Sequence, residues 1–306
     1  MSRTARAAEG VVFACIVPHG FEIVPEVARA SGAGALDAFA PTRRAMEEIG
    51  RRIRRLAPET VVIATPHNLR LEGGFTAVVT SEFTGGTLAR GEASVEASFP
   101  CDQTLAKDIV ARASEARIPV VGANFGALSG PESRVAMDWG TLIPLYFIGR
   151  RTTDVPDGLR VRVGPWEGPP DAPPRPKVVI IGPSREVPWT DLVRLGAVVA
   201  RAAQAAGRRT VFVASADHGH AHRADGPYGH DPASAAYDEA VCRMVRSGEL
   251  ERLLDLDPGF VEAAKPDSLW QMLILLGVLR ERPMTGELLS YQAPTYFGML
   301  CASYEP

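Results

Sequence analysis

Short apolar runs that alternate with amphipathic stretches constrain the fold of this chain more than any other feature of its sequence. The runs are rich in β-branched residues and lie at residues 11–17, 59–67, 75–83, 118–126, 177–184 and 210–217. Unbroken apolar runs of this length are typical of strands that are buried on both faces, as in parallel sheets. We therefore expect a strand at each of them.

The stretches between these runs have helical periodicity. The clearest is a helix for which Thr42 is the expected N-cap and in which Ala45, Ile49 and Ile53 share one face. Further helices are expected at residues 104–117, 191–207, 233–247 and 268–281, the last two closing the chain. Strands that alternate with helices predict an α/β fold, here a single domain with a central, largely parallel or mixed sheet that is flanked by helices.

The expected domain covers residues 8–306 and has one interruption. Residues 151–176 contain a cluster of prolines, so we interpret them as a Pro-rich surface excursion. The four cysteines lie far apart, without the paired spacing of a zinc site or a disulfide framework. Such cysteine usage is typical of a reducing compartment, and we expect a cytoplasmic location.

Charge and hydropathy argue against two classes of partner. The 306 residues include 33 Lys and Arg against 36 Asp and Glu, a net charge of -3, so no basic surplus is present for nucleic acid. The longest apolar runs are far shorter than the roughly 18–20 residues that a membrane-spanning helix needs. The first residues also have no apolar segment typical of a signal peptide. We therefore expect neither a nucleic acid nor a membrane as partner.

The six histidines are the most informative residues for function. His19 and His67 each follow a predicted strand, directly after a proline, and three further histidines follow another strand within residues 218–222. Because ligand sites of open α/β sheets lie at the carboxyl ends of the strands, we expect these histidines to lie at one edge of the sheet. Two imidazoles and one carboxylate would form a facial triad with open positions, as in non-haem Fe(II) enzymes.

The carboxylate of such a triad must come from elsewhere in the chain. The candidates are Asp267 and Glu262, which precede the last long helix, and Asp217 as a weaker choice. Asp267 also occupies a position that is typical of a helix N-cap, and the two roles are compatible.

Four short motifs, taken in their order and spacing, resemble the class III extradiol ring-cleavage dioxygenases. This is the family of the protocatechuate 4,5-dioxygenase catalytic subunit and of 2-aminophenol 1,6-dioxygenase. The resemblance runs from about residue 11 to residue 304. The motifs are Pro18-His19, ATPH at 64–67, MDWGTLIPLYF at 137–147 and VASADHGHAH at 213–222.

The resemblance implies an Fe(II) site and the identity of its ligands. His19 and His67 correspond to the two histidine ligands of the family. The third ligand of the family is a glutamate near the final helical stretch. An ungapped comparison puts Asp267 at that position, and we prefer it, with Glu262 as the alternative.

The resemblance also implies catalytic and substrate-binding residues. His220 corresponds to the histidine that acts as acid and base, with His222 and His218 as rivals. In an extended segment, His220 would face away from the other two. Trp139 stands where many relatives have His and aminophenol-cleaving members have Tyr, and an indole cannot shuttle a proton. The expected substrate contacts are Trp139, Asn68 and Ser184.

The implied activity is extradiol insertion of O2 into the ring of a catechol or a 2-aminophenol. The expected partners are a small aromatic substrate and O2, together with a second copy of the chain in a homodimer. A small partner subunit is left open. Two other functions compete with this one: a zinc hydrolase that uses the same histidines, and a metal-binding relative without catalytic activity.

Overall fold

An eight-stranded mixed sheet lies at the centre of the described part of the chain. The computed structural model describes residues 9–32, 34–85, 88–90, 93–153, 160–165 and 176–306. In the order in which they pair, the strands of this sheet are β13 (Thr285–Gln292), β14 (Met299–Glu305), β1 (Gly10–Val17), β12 (Arg209–Ser215), β2 (Thr60–Ala64), β11 (Lys177–Gly182), β3 (Phe75–Val78) and β7 (Val120–Ala123).

The middle of the sheet is parallel. β1, β12, β2 and β11 lie side by side in the same direction, as the unbroken apolar runs predict. β14 and β13 add an antiparallel edge beside β1. At the other edge, β3 is antiparallel to β11 and parallel to β7. The structure therefore confirms the expected α/β class with a mixed sheet.

Two strands, and not helices, close the chain. The expectation of a helical C-terminus is wrong because β13 and β14 follow the last helix and pair with each other. The residues of β13, TGELLSYQ, are mostly half-buried at the edge of the sheet. A strand with this pattern lacks the continuous apolar run that identifies the central strands.

Helices cover both faces of the sheet. They are α1 (Pro25–Ser31), α2 (Ala35–Ala38), α3 (Ala40–Leu56), α4 (Gln103–Glu115), α5 (Trp139–Ile148), α6 (Trp189–Ala205), α7 (Pro232–Ser247), α8 (Pro258–Ala264) and α9 (Leu269–Glu281). Ala14 and Ile16 of β1 pack in one core with α4, α6, α7 and α9. Phe13 and Cys15 pack in the other core with α1, α3 and α5, because successive side chains of a strand point to opposite faces. None of the helices in the described residues is both long and apolar enough to cross a membrane.

The N-terminus of α3 differs from the expectation. The helix begins at Ala40 with Phe39 as its N-cap residue, so Thr42 lies within the first turn and is buried. Pro41 is tolerated at this end because the first helical amides have no acceptor within the helix. The expected capping role of Thr42 is therefore wrong.

A second, smaller sheet lies on the side of α1 and α5. Its strands pair in the order β8 (Arg134–Ala136), β4 (Glu82–Thr84), β6 (Ala93–Pro100), β10 (Arg160–Gly164) and β9 (Arg150–Thr153), with β5 (Leu88–Arg90) beside β6. The run at 75–83, expected as one strand, is therefore divided between the two sheets. Of the expected Pro-rich excursion, residues 154–159 and 166–175 lie outside the described residues. Val161 and Val163 of β10 are buried and contribute to the core.

The contact between α6 and α9 depends on two glycines. A Cβ atom at Gly196 would lie 1.9 Å from the carbonyl oxygen of Ile274, and one at Gly277 would lie 1.9 Å from that of Val193. We expect Gly277→Ala to lower the free energy of unfolding by about 2–3 kcal/mol, because the helices must separate. Urea denaturation measures this change.

The matched control is Gly259→Ala, at an exposed position of helix α8. There the nearest atom to the new Cβ would be a side-chain oxygen of Asp257, 3.1 Å away, and alanine is the better helix former. We expect a stability equal to or slightly above that of the wild type. An equal loss of stability in both variants would contradict the proposed importance of the close contact.

Candidate metal centre

Three neighbouring parallel strands bring the candidate residues together. β12 lies between β1 and β2 in the sheet. The chain continues from β1 into Pro18-His19, from β2 into the loop that contains His67, and from β12 into Asp217. Their carboxyl ends therefore meet at one edge of the sheet, as the sequence pattern predicts.

His19, His67 and Asp267 form a compact cluster of ligand atoms. The Nε2 atoms of His19 and His67 are 3.0 Å apart. The Oδ2 atom of Asp267 is 3.3 Å from Nε2 of His19 and 3.5 Å from Nε2 of His67. Ligands bound at about 2.1 Å to one ion are separated by roughly 3.0–3.4 Å in octahedral or tetrahedral geometry. The spacing and the donor atoms of this cluster fit one divalent cation.

Glu262, the alternative carboxylate, does not join the cluster. Its side chain is 83% exposed and forms an ion pair with Lys265 at 2.8 Å. The side chain of Asp267, by contrast, is only 8% exposed. The structure therefore brings the preferred carboxylate to the histidines.

Ser215 sets the tautomer of His19. Its hydroxyl donates to the carbonyl oxygen of Gly140 at 2.5 Å and lies 3.0 Å from Nδ1 of His19. Because the serine proton is used on Gly140, the hydroxyl oxygen accepts a hydrogen bond from Nδ1–H of His19. The neutral imidazole then has its free electron pair on Nε2, the atom that faces the cluster.

The carboxylate of Asp267 is held by the backbone of Asp217. The amide of Asp217 donates to Oδ1 of Asp267 at 2.8 Å, and the amide of Asp267 donates to the carbonyl oxygen of Asp217 at 3.3 Å. The N-cap residue of α9 is Ser268. The expected capping role of Asp267 is thus wrong, because its carboxylate is turned toward Asp217 and the histidines.

The buried charges of the cluster act on one another. Burial opposes protonation of His19, but the charges of Asp217 and Asp267 raise its pKa to about 9. Burial raises the pKa of Asp217 to about 6, against the effect of His19. Burial would also raise the pKa of Asp267, but the charge of His19 and hydrogen bonds from both histidines hold it below its usual range. The site thus favours positive charge at its centre, which a proton or a metal ion can supply.

Asp138, which sequence reasoning did not single out, supports the loop that contains His67. Its carboxylate accepts hydrogen bonds from the hydroxyl of Thr65 at 3.0 Å and from the side-chain amide of Asn68 at 2.7 Å. The same carboxylate caps the N-terminus of α5. A Cβ atom at Gly140 would lie 2.4 Å from Oγ1 of Thr65. In the sequence, Asp138 belongs to the motif at 137–147 and precedes a helical turn, signs that indicate a cap but no support for a metal ligand.

Two of the three expected substrate contacts lie beside His67. The ring of Trp139 is 4.2 Å from the ring of His67. Asn68 and His67 line a groove of about 750 Å³ that continues to Phe125 and Arg134. Ser184 is buried and donates to the carboxylate of Glu186 at 2.5 Å. Its hydroxyl is therefore engaged within its own loop.

His220 is the histidine of the 218–222 segment that reaches the centre. One of its ring nitrogens lies within 4.8 Å of carboxylate oxygens of Asp217 and Asp267. Its Nδ1 atom is buried and has no hydrogen-bond partner among the described residues. The ring stacks on Phe297 with a centroid distance of 5.4 Å and an interplanar angle of 19°.

His222 and His218 have other surroundings. Nε2 of His222 is 2.8 Å from the carboxylate of Asp238, which also accepts a hydrogen bond from Tyr291. His218 is fully buried, and burial lowers its pKa. β12 ends at Ser215, so the alternation expected for an extended segment does not apply here.

Comparisons with known proteins were made for the sequence and for the fold. The chain is 27% identical over 277 residues to protein CA_C1420 of Clostridium acetobutylicum, a match that covers 90% of this chain and 54% of that protein. The chain thus spans about half the length of this curated relative. Its fold is similar to the crystal structure of the uncharacterized protein JW3007 from Escherichia coli K12, with a TM-score of 0.54 and 15% identity over 95% of this chain and 99% of that chain.

A family model matches almost the whole length of the fold. The match covers residues 14–299, from within β1 to the start of β14, and includes every residue of the candidate metal centre. The chain therefore belongs to the family of the catalytic LigB subunit of aromatic ring-opening dioxygenase.

Proposed function

We propose that this protein is a non-haem Fe(II)-dependent dioxygenase that opens the ring of a catechol or a 2-aminophenol by extradiol insertion of O2. The observation that carries the proposal is the convergence of His19, His67 and Asp267, whose ligand atoms are 3.0–3.5 Å apart. Two imidazoles and one carboxylate are the donor set of non-haem Fe(II) oxygenases. Membership of a family of ring-opening dioxygenases supports the reaction class.

The three ligands leave one side of the centre for substrate. An Fe(II) ion held by His19, His67 and Asp267 would supply adjacent open positions for the two ring substituents and for O2. His67 is the ligand that also lines the groove of about 750 Å³. This volume lies within the range of small-molecule sites, so the groove supports entry of the substrate from the side of His67.

Aromatic side chains are placed to orient a flat substrate. Trp139 lies between His67 and Phe21, with ring distances of 4.2 Å and 5.9 Å. Tyr296 lies 5.9 Å from the ring of His220. Aromatic rings favour offset or edge-to-face contacts with another ring. We infer that these side chains hold the substrate ring in a fixed orientation, which contributes to the rate.

His220 is the proposed acid and base. Imidazole is the side chain best suited to accept a phenolic proton and return it near neutral pH. One of its ring nitrogens lies within 4.8 Å of carboxylate oxygens of Asp217 and Asp267 at the centre. Trp139 can donate one hydrogen bond to the substrate through its indole N–H but cannot shuttle a proton. The proton transfers are therefore assigned to His220.

Anaerobic reconstitution tests this function. We expect the Fe(II) protein to consume O2 with a member of a catechol and 2-aminophenol panel and to form a ring-opened product. Hydroquinone is the matched control, since its para hydroxyl groups cannot both bind one ion. The Zn(II) protein should consume no O2, because zinc has no redox chemistry.

Two results would contradict the proposal. Hydrolysis of an ester or amide by the Zn(II) protein, without O2 uptake by the Fe(II) protein, would favour the zinc hydrolase. Metal binding without turnover of any panel compound would favour the non-catalytic relative. The homodimer, the small partner subunit and the cytoplasmic location remain predictions from the sequence.

A further inference from the structure

A buried carboxylate lies behind the segment that carries His220. Asp238 belongs to α7, and its side chain is fully buried. Its Oδ1 atom accepts a hydrogen bond at 2.7 Å from the backbone amide of Gly219, the residue directly before His220. Its Oδ2 atom accepts from the hydroxyl of Tyr291 at 2.7 Å and lies 2.8 Å from Nε2 of His222. The carboxylate therefore contacts the segment on both sides of His220.

The loop that carries Phe297 meets the same carboxylate. A Cβ atom at Gly298 would lie 1.9 Å from Oδ2 of Asp238, so only a glycine fits against the carboxylate there. The backbone amide of Gly298 also donates to the carbonyl oxygen of Gly219 at 3.0 Å. Phe297, directly before this glycine, is the ring that stacks on His220. Asp238 thus lies where the segments that carry His220 and its stacking partner meet.

A charged side chain at this position has a cost. In the part of the chain that the structure describes, Asp238 forms its ion pair with His222 and none with Lys or Arg. A buried carboxylate costs free energy that a neutral hydrogen-bonding group would not. In return, its hydrogen bond to the amide of Gly219 is charge-assisted and about twice as strong as a neutral one. Because Tyr291 also donates to Oδ2, the carboxylate keeps a second support if the side chain of His222 is removed.

We propose that Asp238 is a positioning residue for His220. By holding Gly219 and packing against Gly298, it fixes the imidazole of His220 against Phe297 and toward the metal centre. Catalytic side chains need support of this kind, because their own rotamers must be held by hydrogen bonds from the residues behind them. Asp238 acts through the backbone and does not touch the substrate. The inference rests on the acid and base role of His220 in the proposed function.

Turnover of Asp238→Ala and Asp238→Asn tests this inference. Alanine leaves the amide of Gly219 without its acceptor, and a displacement of a catalytic group by about 1 Å costs about 100-fold in rate. We expect kcat to fall about 100-fold in Asp238→Ala. In Asp238→Asn it should fall about 10-fold, since the asparagine oxygen can still accept this amide but has no charge. The KM for the substrate and the affinity for Fe(II) should stay within about threefold of the wild type.

Asp102→Ala is the matched control. Asp102 is also buried, and its carboxylate accepts hydrogen bonds from the hydroxyl of Thr60 at 2.6 Å and from Arg208 at 2.6 Å. Thr60 begins β2 and Arg208 directly precedes β12, so this carboxylate lies at the edge of the sheet opposite to the metal centre. We expect its melting temperature to fall as in Asp238→Ala, while kcat per folded molecule stays unchanged.

Three results would overturn the inference. The first is a kcat within threefold of the wild type in folded Asp238→Ala or Asp238→Asn. The second is an equal fall of kcat in Asp102→Ala, because loss of stability alone would then explain the effect. The third is loss of Fe(II) from Asp238→Ala, because the effect would then act through the metal.

A measurement without turnover separates this inference from the proposed function. In the Zn(II) protein labelled with ¹⁵N-histidine, the imidazole signals of His220 are assigned by their loss in His220→Ala. We expect these signals to broaden or split in Asp238→Asn, while those of His19 and His67 stay single. Unchanged signals of His220 would overturn the inference, and Asp238→Asn decides it even if Asp238→Ala does not fold. Split signals in a protein that consumes no O2 would refute the dioxygenase and retain the positioning of His220 by Asp238.

Discussion

Asp267→Ala is expected to weaken binding of Fe(II) by more than about 100-fold, whereas Glu262→Ala should leave it unchanged. Loss of a side chain that only supports a metal ligand already costs about 10–100-fold in affinity, so the loss of a ligand should exceed that range. Asp267 is 5% exposed and its carboxylate faces both histidines. Glu262 is exposed and paired with Lys265. Anaerobic titration with Fe(II) against a chelator measures both variants.

Glu262→Ala is a suitable control because the two residues are close in sequence and both carry a carboxylate. Its ion pair with Lys265 lies at the surface, where such pairs contribute about 0–1 kcal/mol to stability. Circular dichroism of each variant separates loss of metal from loss of fold. Tight Fe(II) binding by folded Asp267→Ala would remove this residue from the ligand set.

His220→Ala should retain Fe(II) and bind substrate, while its turnover falls by roughly 10²–10⁴-fold. This is the usual contribution of a positioned general acid or base. The prediction rests on the position of His220, whose ring lies within reach of the buried carboxylates but outside the close contacts of His19 and His67. The measurements are O2 uptake at saturating substrate and iron content of the same sample.

His222→Ala and His218→Ala are the matched controls for this effect. Nε2 of His222 is bound to Asp238, and His218 is fully buried beside Tyr237. We expect both variants to lose stability more than turnover per folded molecule. Loss of iron in His220→Ala would make it a ligand. Unchanged turnover in His220→Ala with a collapse in His222→Ala would transfer the acid and base role to His222.

The agreement between sequence and structure is best where the signal is local. The run at 11–17 lies within β1, and all but the last two residues of the run at 177–184 form β11. A continuous run of β-branched residues suits a buried parallel strand and little else. β13 and the strands of the second sheet were missed because their residues are half-buried or pair at an edge. Their conformation depends on neighbours that are distant in sequence, as in the pairing of β10 with β6.

The sequence was sufficient to predict the position of His19 and His67, because both residues follow buried parallel strands. Parallel strands end at the same edge of a sheet, so two local patterns are sufficient to predict one shared site. The same reasoning cannot choose among acidic residues that follow no strand. Asp267 reaches the histidines through hydrogen bonds with Asp217, which lies 50 residues earlier, and no periodicity indicates that contact.

The sequence by itself thus determined the α/β class, the parallel centre of the sheet and the edge at which the histidines gather, since all three follow from short-range hydrophobic pattern and strand direction. Only the tertiary structure decided that Asp267 and not Glu262 faces those histidines, that His220 alone of its segment reaches the centre, and that Asp217 faces His19. Which side chains face the centre depends on where the loops place them relative to one another. Backbone hydrogen bonds between distant segments set that geometry, and side-chain type does not reveal it.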